Sequence, residues 1–447
     1  MPAASLAGKI QRGLGSGFLE ALGQPRADVE AIVLACIADD PRINAQDEDR
    51  DLYYARLMLE LDIDEAPIAD ILKSDPDADG STTRDWLPVG VLGLLARSGR
   101  SRAVEILRDY VGWGATWDEA VRHLGATGDP GAVEGLDAVL AERFVDDLEA
   151  FANDAGPRGD EPWRSWRDSG PLASVLAATE RPVPRQATPD LGSLDARSLL
   201  ARVTVVGRWP DPATDILVGR ILAGSTADRQ VVEDALLGSD RGLAARAVRV
   251  LGTLGDPAIV PVGERILDHI GPGFAVPDST LRRIVDRGFE GLPPTDALAV
   301  ARRWRDGDDY KSYIATRLLA MHATAEDLPW TLDAIRRAAA DGHDLFSWAQ
   351  VLRRFPGTGP FDGFETIYRS YVPTCCRGHL LSAMSIADPT FGETLAFECL
   401  YDCEAVTREA AAATVSLTPP ARRHLRVLAD DPLEEDGVRA AARARLD

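Results

Sequence analysis

The 447-residue sequence lacks long apolar runs and is poor in cysteine and in positive charge. Its longest apolar stretches, such as residues 31–38, are far shorter than the roughly 18 residues that cross a membrane, and the first residues do not form a signal peptide. Five cysteines, an odd number in so long a chain, fit reduced thiols better than a disulfide framework. We therefore expect a cytoplasmic protein that does not associate with membranes.

The charge balance is strongly acidic, with a formal net charge of −22 at pH 7. Residues 26–80 alone contain 16 acidic and 5 basic residues. A nucleic-acid-binding protein needs a positive surface to displace counterions from phosphates, so this charge disfavours nucleic acid as a partner. It favours a protein or peptide partner instead, and a basic partner in particular.

Motifs of common catalytic sites are also missing. The sequence contains no GxSxG, HExxH or CxxC pattern, and its six histidines are scattered. We therefore assign no catalytic residue, and the sequence leans away from an enzyme without deciding the point.

The strongest pattern lies in residues 239–270, where two apolar helical periods are separated by a turn. Apolar residues recur every three or four positions from Ala244 to Leu254, which predicts one buried helix face. Gly255 suits the left-handed residue that ends a helix, and Asp256-Pro257 suits the start of the next one. The stretch predicts a helical hairpin with apolar surface on both arms, which only a stack of hairpins can bury.

The same pattern recurs along the chain. Seven residues of this stretch, including the Gly-Asp-Pro triplet, occur again 127 positions earlier, where the triplet is residues 128–130. The repeat resumes near Leu200 and continues to Asp211 and its following proline. Residues 203–206, Val-Thr-Val-Val, could form a strand by composition, but their register with residues 248–251 predicts a helix.

Proline- and glycine-rich residues interrupt this pattern between positions 153 and 195 and predict an inserted loop or linker. The predicted organisation has four parts: an N-terminal extension with the first helix at 1–25, helical repeats at 26–152, the insertion at 153–195, and further repeats at 196–447 that are irregular over 278–400.

These units resemble the HEAT-like repeat in its short bacterial form, the type named after the phycobilisome lyases, whose repeats look like xxAAxALGxLGDPxAVxxLxxxL. The resemblance is close over residues 88–144 and 239–270, fair over 197–222 and 402–447, and weak elsewhere. It implies an all-α fold of the α-solenoid class, a superhelix of helical hairpins. It implies little about activity, because such arrays serve as scaffolds, lyase subunits, chaperones and, in one branch, alkylpurine DNA glycosylases.

One acidic segment matches part of a calcium-binding loop. Asp75, Asp77 and Asp79 alternate ahead of a glycine and Ser81, as the first ligands of such a loop do. Against calcium, Trp86 stands where a bidentate glutamate is expected. Calcium bound by Asp75, Asp77, Asp79 and Ser81 and a solvated acidic turn both remain open, and we predict no other cofactor.

A second candidate metal site combines Cys375 and His379 with Cys399 and Cys403. Spacings of four residues place each pair on one helix face, and two such faces could enclose zinc. The alternative is that these cysteines are ordinary buried apolar residues.

The insertion contains Trp163, Arg164, Trp166 and Arg167, which are residue types enriched at protein interfaces. We predict them as partner-binding residues, with the alternative that the tryptophans fold back onto the helices. Residues 279–355 also place clustered arginines near three tryptophans, which is a pattern that could stack bases. This segment has 12 basic and 11 acidic residues, so its charge is balanced.

The leading functional hypothesis is a non-catalytic scaffold or adaptor that binds a protein or peptide on the concave face of a solenoid. The alternative is a HEAT-like enzyme or enzyme subunit, either related to prosthetic-group lyases or to DNA glycosylases. A cleft with tryptophan, aspartate and a ring of arginines would favour the glycosylase, and an acidic groove would favour a protein partner.

Overall fold

The computed structural model of the protein describes residues 1–39, 50–74, 85–145, 151, 161–168, 170–173, 176, 190–204, 211–269, 276–307, 310–342 and 345–447. Within these ranges every regular element is helical, as the apolar periodicity predicts. None of the helices in them combines the length and the hydropathy that a membrane crossing requires.

The N-terminal helices are α1 Leu6–Gln11, α2 Gly15–Leu22, α3 Arg26–Ala38, α4 Asp51–Glu60, α5 Ala66–Lys73, α6 Trp86–Arg97, α7 Ser101–Val111, α8 Trp117–Gly125, α9 Pro130–Val133, α10 Leu136–Arg143 and α11 Trp163–Asp168. The central helices are α12 Ala196–Leu200, α13 Pro212–Leu222, α14 Thr226–Leu237, α15 Arg241–Thr253, α16 Ile259–Asp268, α17 Val276–Phe289, α18 Pro294–Trp304, α19 Tyr310–His322, α20 Leu328–Asp341 and α21 Phe346–Leu352. Short 3-10 helices lie at Leu191–Ser193 and Ala325–Asp327. The C-terminal helices are α22 Phe364–Ser370, α23 Thr374–Ala387, α24 Phe391–Thr394, α25 Ala396–Cys399, α26 Ala405–Thr414, α27 Pro419–Asp430 and α28 Asp436–Leu446.

The predicted hairpin at residues 239–270 is present as α15 and α16. Gly255 has the left-handed conformation that ends α15, with φ of +74°. The Asp256 carboxylate then accepts a hydrogen bond of 3.0 Å from the Ala258 amide, and the regular helix begins at Ile259. At the equivalent turns, Asp129 and Asp211 cap the first turns of α9 and α13 in the same way.

The prediction of a helix through Val203 is wrong. Helix α12 ends at Leu200, and Val203 and Thr204 lie outside any helix. Here side chains bind the main chain directly: Arg246 donates to the Val203 carbonyl at 3.1 Å, and the Thr204 amide donates to Asp211 at 3.1 Å. β-branched residues such as Val203 and Thr204 lose side-chain freedom in a helix, which disfavours a helix here.

The chain folds into two compact units. The first contains Met1–Pro184, Ala339–Phe346 and Gly357–Asp447, so its N-terminal and C-terminal helices belong together. The second contains Arg185–Ala338 and Ser347–Pro356. Each unit has its own apolar core. In the second unit α15 packs against α14, α16 and α17, and in the first α26 packs against α23 and α28.

Candidate binding pocket in the first unit

Two glycines let the first and last segments of this unit touch. Gly13 has φ of +65°, a left-handed conformation that side chains disfavour, and a Cβ there would collide with the Cys403 side chain. A Cβ on Gly15 would collide with the carbonyl of Glu398. The Cys403 amide donates a hydrogen bond of 2.9 Å to the Gly13 carbonyl. The main chains of the two segments are therefore in direct contact.

Two fully buried arginines, Arg50 and Arg377, bind the end of α1 in this contact. Arg377 Nη2 donates to the carbonyl of Arg12 at 2.8 Å, and Arg50 Nη1 donates to the carbonyl of Gln11. Arg50 Nη2 also lies 3.4 Å from the Val372 carbonyl. The last carbonyls of a helix have no partner within it and carry partial negative charge, so guanidinium groups stabilise them.

Asp402 is the buried carboxylate beside these arginines. Its Oδ2 accepts hydrogen bonds from the Tyr368 hydroxyl at 3.0 Å and from Arg377 at 3.4 Å. Its Oδ1 accepts one from the Glu404 amide at 3.0 Å. Both oxygens are thus occupied by groups of the protein itself.

Glu434 forms a second buried ion-pair network next to Asp402. Arg408 binds it through both oxygens, at 2.9 and 2.7 Å, and Arg56 Nη1 lies 3.0 Å from Oε2. Arg56 also reaches Asp431 at 2.6 Å. Burial alone would raise the pKa of Glu434, but Arg408 and Arg56 outweigh it and lower the pKa to about 2. Glu434 is therefore ionised at neutral pH.

Side chains of these networks line part of a pocket with a cavity volume of about 280 Å³. Helices α2 and α4 contribute one side, and the segments from α25 to α27 contribute the other. The lining consists of aromatic, aliphatic and charged side chains: Phe18, Tyr53, Tyr401 and His424; Leu22, Leu59, Leu400 and Val427; and Arg56, Glu60, Asp402, Arg408 and Asp431.

The aromatic side chains of the pocket contact one another. The Phe18 ring centroid lies 5.5 Å from that of Tyr53 and 5.4 Å from that of Tyr401. Tyr401 stacks on His424 with centroids 3.8 Å apart and an interplanar angle of 17°. These contacts fix the rings in place.

His424 is uncharged at neutral pH. Burial is the main reason, and the nearby Arg56 adds to it, so the pKa of His424 falls to about 4. Its Nε2 lies 3.4 Å from the Leu400 carbonyl. The imidazole therefore adds an aromatic surface to the pocket and no positive charge.

The rim of the pocket is exposed and combines apolar and acidic groups. Leu22 is 40% exposed and Val427 is 54% exposed. Glu60 is exposed at the end of α4, and in the described part of the chain its carboxylate has no hydrogen-bond or ion-pair partner. Burial raises the pKa of the Tyr401 hydroxyl, the charge of Glu60 raises it further, and Arg423 acts in the opposite direction.

The predicted zinc ligands are not brought together. Cys399 and Cys403 are fully buried, and burial raises the pKa of both thiols well above the ordinary value. Cys375 lies instead beside Cys376, with the two Sγ atoms 3.7 Å apart, and His379 packs against Phe346. Among the described residues, no three His, Cys, Asp or Glu side chains are grouped closely enough to hold a metal ion. The four side chains therefore form no zinc site, because each pair packs among different neighbours.

The predicted calcium ligands Asp75, Asp77, Asp79 and Ser81 lie outside the described residues. Calcium at this segment therefore stays a prediction.

The insertion tryptophans fold back onto the helices, the second of the two alternatives. Trp163 is 1% exposed and Trp166 is 7% exposed, so neither presents a binding surface. Trp163 packs against Trp117 and against Trp166, with centroids 6.0 and 5.2 Å apart. Packing against this aromatic cluster removes more apolar surface of the indole rings from water than an exposed position in a solvated loop would. Arg164 is exposed, and Arg167 is half-buried.

Several arginines of residues 279–355 are neutralised by carboxylates. Arg302 binds Asp327 through two bonds of 2.9 Å, and Arg303 pairs with Glu264. Trp304 is buried and donates to Glu264 at 2.8 Å. Arg302 and Arg303 therefore have carboxylate partners within the protein, and the buried Trp304 does not present a face on which a base could stack.

A second buried charge cluster lies in the second unit, around Asp286. Arg317 donates to Asp286 Oδ2 at 2.5 Å and also pairs with Glu290. Asp286 is 2% exposed, and its Oδ1 has no hydrogen-bond partner in the described part of the chain. Burial raises the pKa of Asp286 to about 6, and the neighbouring Glu290 acts in the same direction, although Arg317 opposes them.

In comparisons with protein-family models, with curated proteins and with solved structures, nothing matches this chain. The geometry of the two units is therefore the basis for any proposal about function.

Sequence reasoning missed the pocket because its residues come from four separate segments. One usable sign was present: Gly13 and Gly15 mark a close approach of two main chains. A second sign was Arg56 and Arg408, charged residues at positions that the helical period places towards the core.

Proposed function

We propose that the protein is a non-catalytic adaptor that binds a protein or peptide partner through the pocket of the first unit. The observation that carries this proposal is the combination of an exposed apolar rim, Leu22 and Val427, with a rigid interior of ion pairs and stacked rings. Binding sites at interfaces are built in this way, with an anchoring pocket surrounded by a rim that excludes water.

The pocket is large enough for one anchoring side chain of a partner. A cavity of about 280 Å³ is at the lower end for drug-sized molecules. A peptide that inserts one large side chain there would bury the apolar rim at the same time. Since the supporting network is already satisfied within the protein, binding would not need to rearrange it.

The interior of the pocket supports binding better than proton transfer. His424 is neutral and stacked, Asp402 accepts bonds from groups of the protein, and Arg56 and Arg408 are held in ion pairs. A general acid or base needs a group whose pKa lies near the working pH and whose proton can reach the substrate. His424 does not meet the first condition, because its pKa falls to about 4, and the other three are held by partners within the protein.

We further propose that the helices form HEAT-like repeats of an α-solenoid and that the protein works in the cytoplasm. The left-handed glycines at 128 and 255, each followed by an aspartate that caps the next turn, support the repeat type. The net charge of −22 supports a basic partner over an anionic one. The glycosylase-like alternative has less support, because several arginines of residues 279–355 are paired with carboxylates.

The adaptor proposal is tested by blocking the pocket entrance. Val427→Trp places a bulky ring at an exposed position of the rim, and Val145→Trp is its matched control at a residue of the same unit that is 66% exposed. Quantitative affinity purification should recover a partner with the wild type and the control variant that the Val427 variant loses. Recovery of the same proteins with all three forms would contradict the proposal, as would no protein partner alongside saturable turnover of a small molecule.

A further inference from the structure

We infer that the pocket of the first unit accepts the cationic side chain of a lysine or arginine from the partner, held by aromatic rings and by the carboxylate of Glu60. This inference rests on the proposed adaptor function and names the chemistry of the residue that enters the pocket.

The first argument is the charge that the pocket leaves available to a ligand. Both of its lining cations are used: Arg56 pairs with Asp431 and Glu434, and Arg408 pairs with Glu434. Glu60 is the charged lining residue that has no such partner among the described residues. A ligand therefore meets a net negative group at the rim, which attracts a cation and repels an anion.

The second argument is the aromatic lining. Phe18, Tyr53 and Tyr401 form one connected cluster with centroid separations of 5.4 and 5.5 Å. Aromatic faces carry partial negative charge, so a cation that is partly removed from water over such a ring is stabilised. His424 extends this surface without opposing a cation, because its ring is neutral at pH 7.

The third argument is the aliphatic surface of the rim. Lysine and arginine each have a chain of methylene groups between the main chain and the charge, and these groups pack well on apolar surface. Leu22, Leu59 and Val427 provide that surface around the entrance. A short basic group without such a chain would not contact the rim and the rings together.

One nearby cation would repel a cationic ligand, and it therefore allows the sign of the ligand's charge to be tested. Arg423 is exposed on α27, lies outside the lining, and is close enough to Tyr401 to lower the pKa of its hydroxyl. If the ligand is cationic, Arg423 weakens its binding, and reversing this charge should strengthen it.

The experiment measures binding of small probes to the full chain by ligand-observed NMR and calorimetry. The probes are the Nα-acetyl amides of arginine and lysine, with those of citrulline and norleucine as neutral controls of similar shape and that of glutamate as the anionic control. We expect the arginine and lysine probes to bind best. Glu60→Gln should weaken them by about threefold to fivefold at low salt, the range of a partly exposed ion pair, and Arg423→Glu should strengthen them.

Three outcomes would overturn the inference: equal binding of norleucine or citrulline amide, preferred binding of the glutamate amide, or no change in Glu60→Gln. The Val427→Trp variant shows whether any binding occurs in the pocket, since binding there must disappear in that variant. If partner recovery depends on Val427 while the probes show no cationic preference, only this inference fails. If partner recovery is also independent of Val427, the adaptor function fails with it.

Discussion

Two buried carboxylates, Glu434 in the first unit and Asp286 in the second, both pair with arginine, yet their pKa values move in opposite directions. The pKa of Glu434 falls to about 2, while that of Asp286 rises to about 6. Glu434 accepts bonds from Arg408 through both oxygens and also pairs with Arg56, which it shares with Asp431. Asp286 shares one arginine with Glu290 and leaves Oδ1 without a partner. Burial disfavours the charge of both carboxylates, and the pKa falls only where the partners of the two oxygens outweigh that cost.

The largest effect should come from breaking the satisfied pair. Arg408→Met removes the bidentate partner of Glu434 and leaves a buried carboxylate with Arg56 alone, which should destabilise the first unit by about 3 to 5 kcal/mol. Denaturant unfolding, followed with probes for each unit because two units need not unfold together, measures this loss. Arg102→Met removes an exposed pair with Glu105 and is the matched control, with an expected change below about 1 kcal/mol. A similar small loss in both variants would show that Glu434 is not held as described.

The next largest effect should come from Asp286→Asn, and it should depend on pH. Because the pKa of Asp286 is raised on folding, its contribution to stability is fully present below pH about 4 and is lost as the pH rises through about 6. The free energy of unfolding of the wild type should therefore fall relative to the variant by up to about 3 kcal/mol between pH 4 and 7. An equal difference in the free energy of unfolding between the wild type and the variant at both pH values would contradict the raised pKa.

A smaller loss is expected from Arg56→Met. This arginine is partly exposed and is the second cation at Glu434, so its removal should destabilise the first unit by about 1 to 2 kcal/mol. The loss should grow in the background of Arg408→Met, because Glu434 would then have no arginine at all, and a double-mutant cycle measures this coupling. Simple additivity of the two losses would mean that the arginines do not share Glu434.

The smallest effect is expected at Asp286, the carboxylate of the second unit, when its neighbour Glu290 is changed. Glu290→Gln removes one of the groups that raise the pKa of Asp286 and leaves Arg317 to Asp286 alone, so the pKa of Asp286 should fall by up to about one unit. The pH midpoint of the stability difference between Glu290→Gln and its Asp286→Asn double variant reports this pKa. An unchanged midpoint near pH 6 would exclude Glu290 as a cause.

Local features were predictable from sequence where one short segment decides the outcome. The hairpin of α15 and α16, the left-handed Gly255 and the capping aspartates at 129 and 211 follow from residues within a turn of each other. Val203 was assigned to a helix from repeat register alone. In the structure it lies outside the helix, and Arg246, more than 40 positions away, binds its carbonyl.

The candidate pocket was not predictable, because distant residues build it. Arg56 and Asp431 are 375 positions apart and still form one ion pair at the pocket. An exposed tryptophan and a buried one look the same in a single sequence, and Trp163 shows this, since it occurs among charged residues and is nonetheless fully buried.

The direct contact between the first and last segments of the first unit has a consequence for synthesis on the ribosome. The buried environment of Arg50 is complete only after Val372, 322 positions further on, has been synthesised, because its carbonyl contacts Arg50. The whole second unit lies between these positions, so it can fold while the first unit is still incomplete. The N-terminal helices of the first unit would then lack their C-terminal partners until those helices have been synthesised.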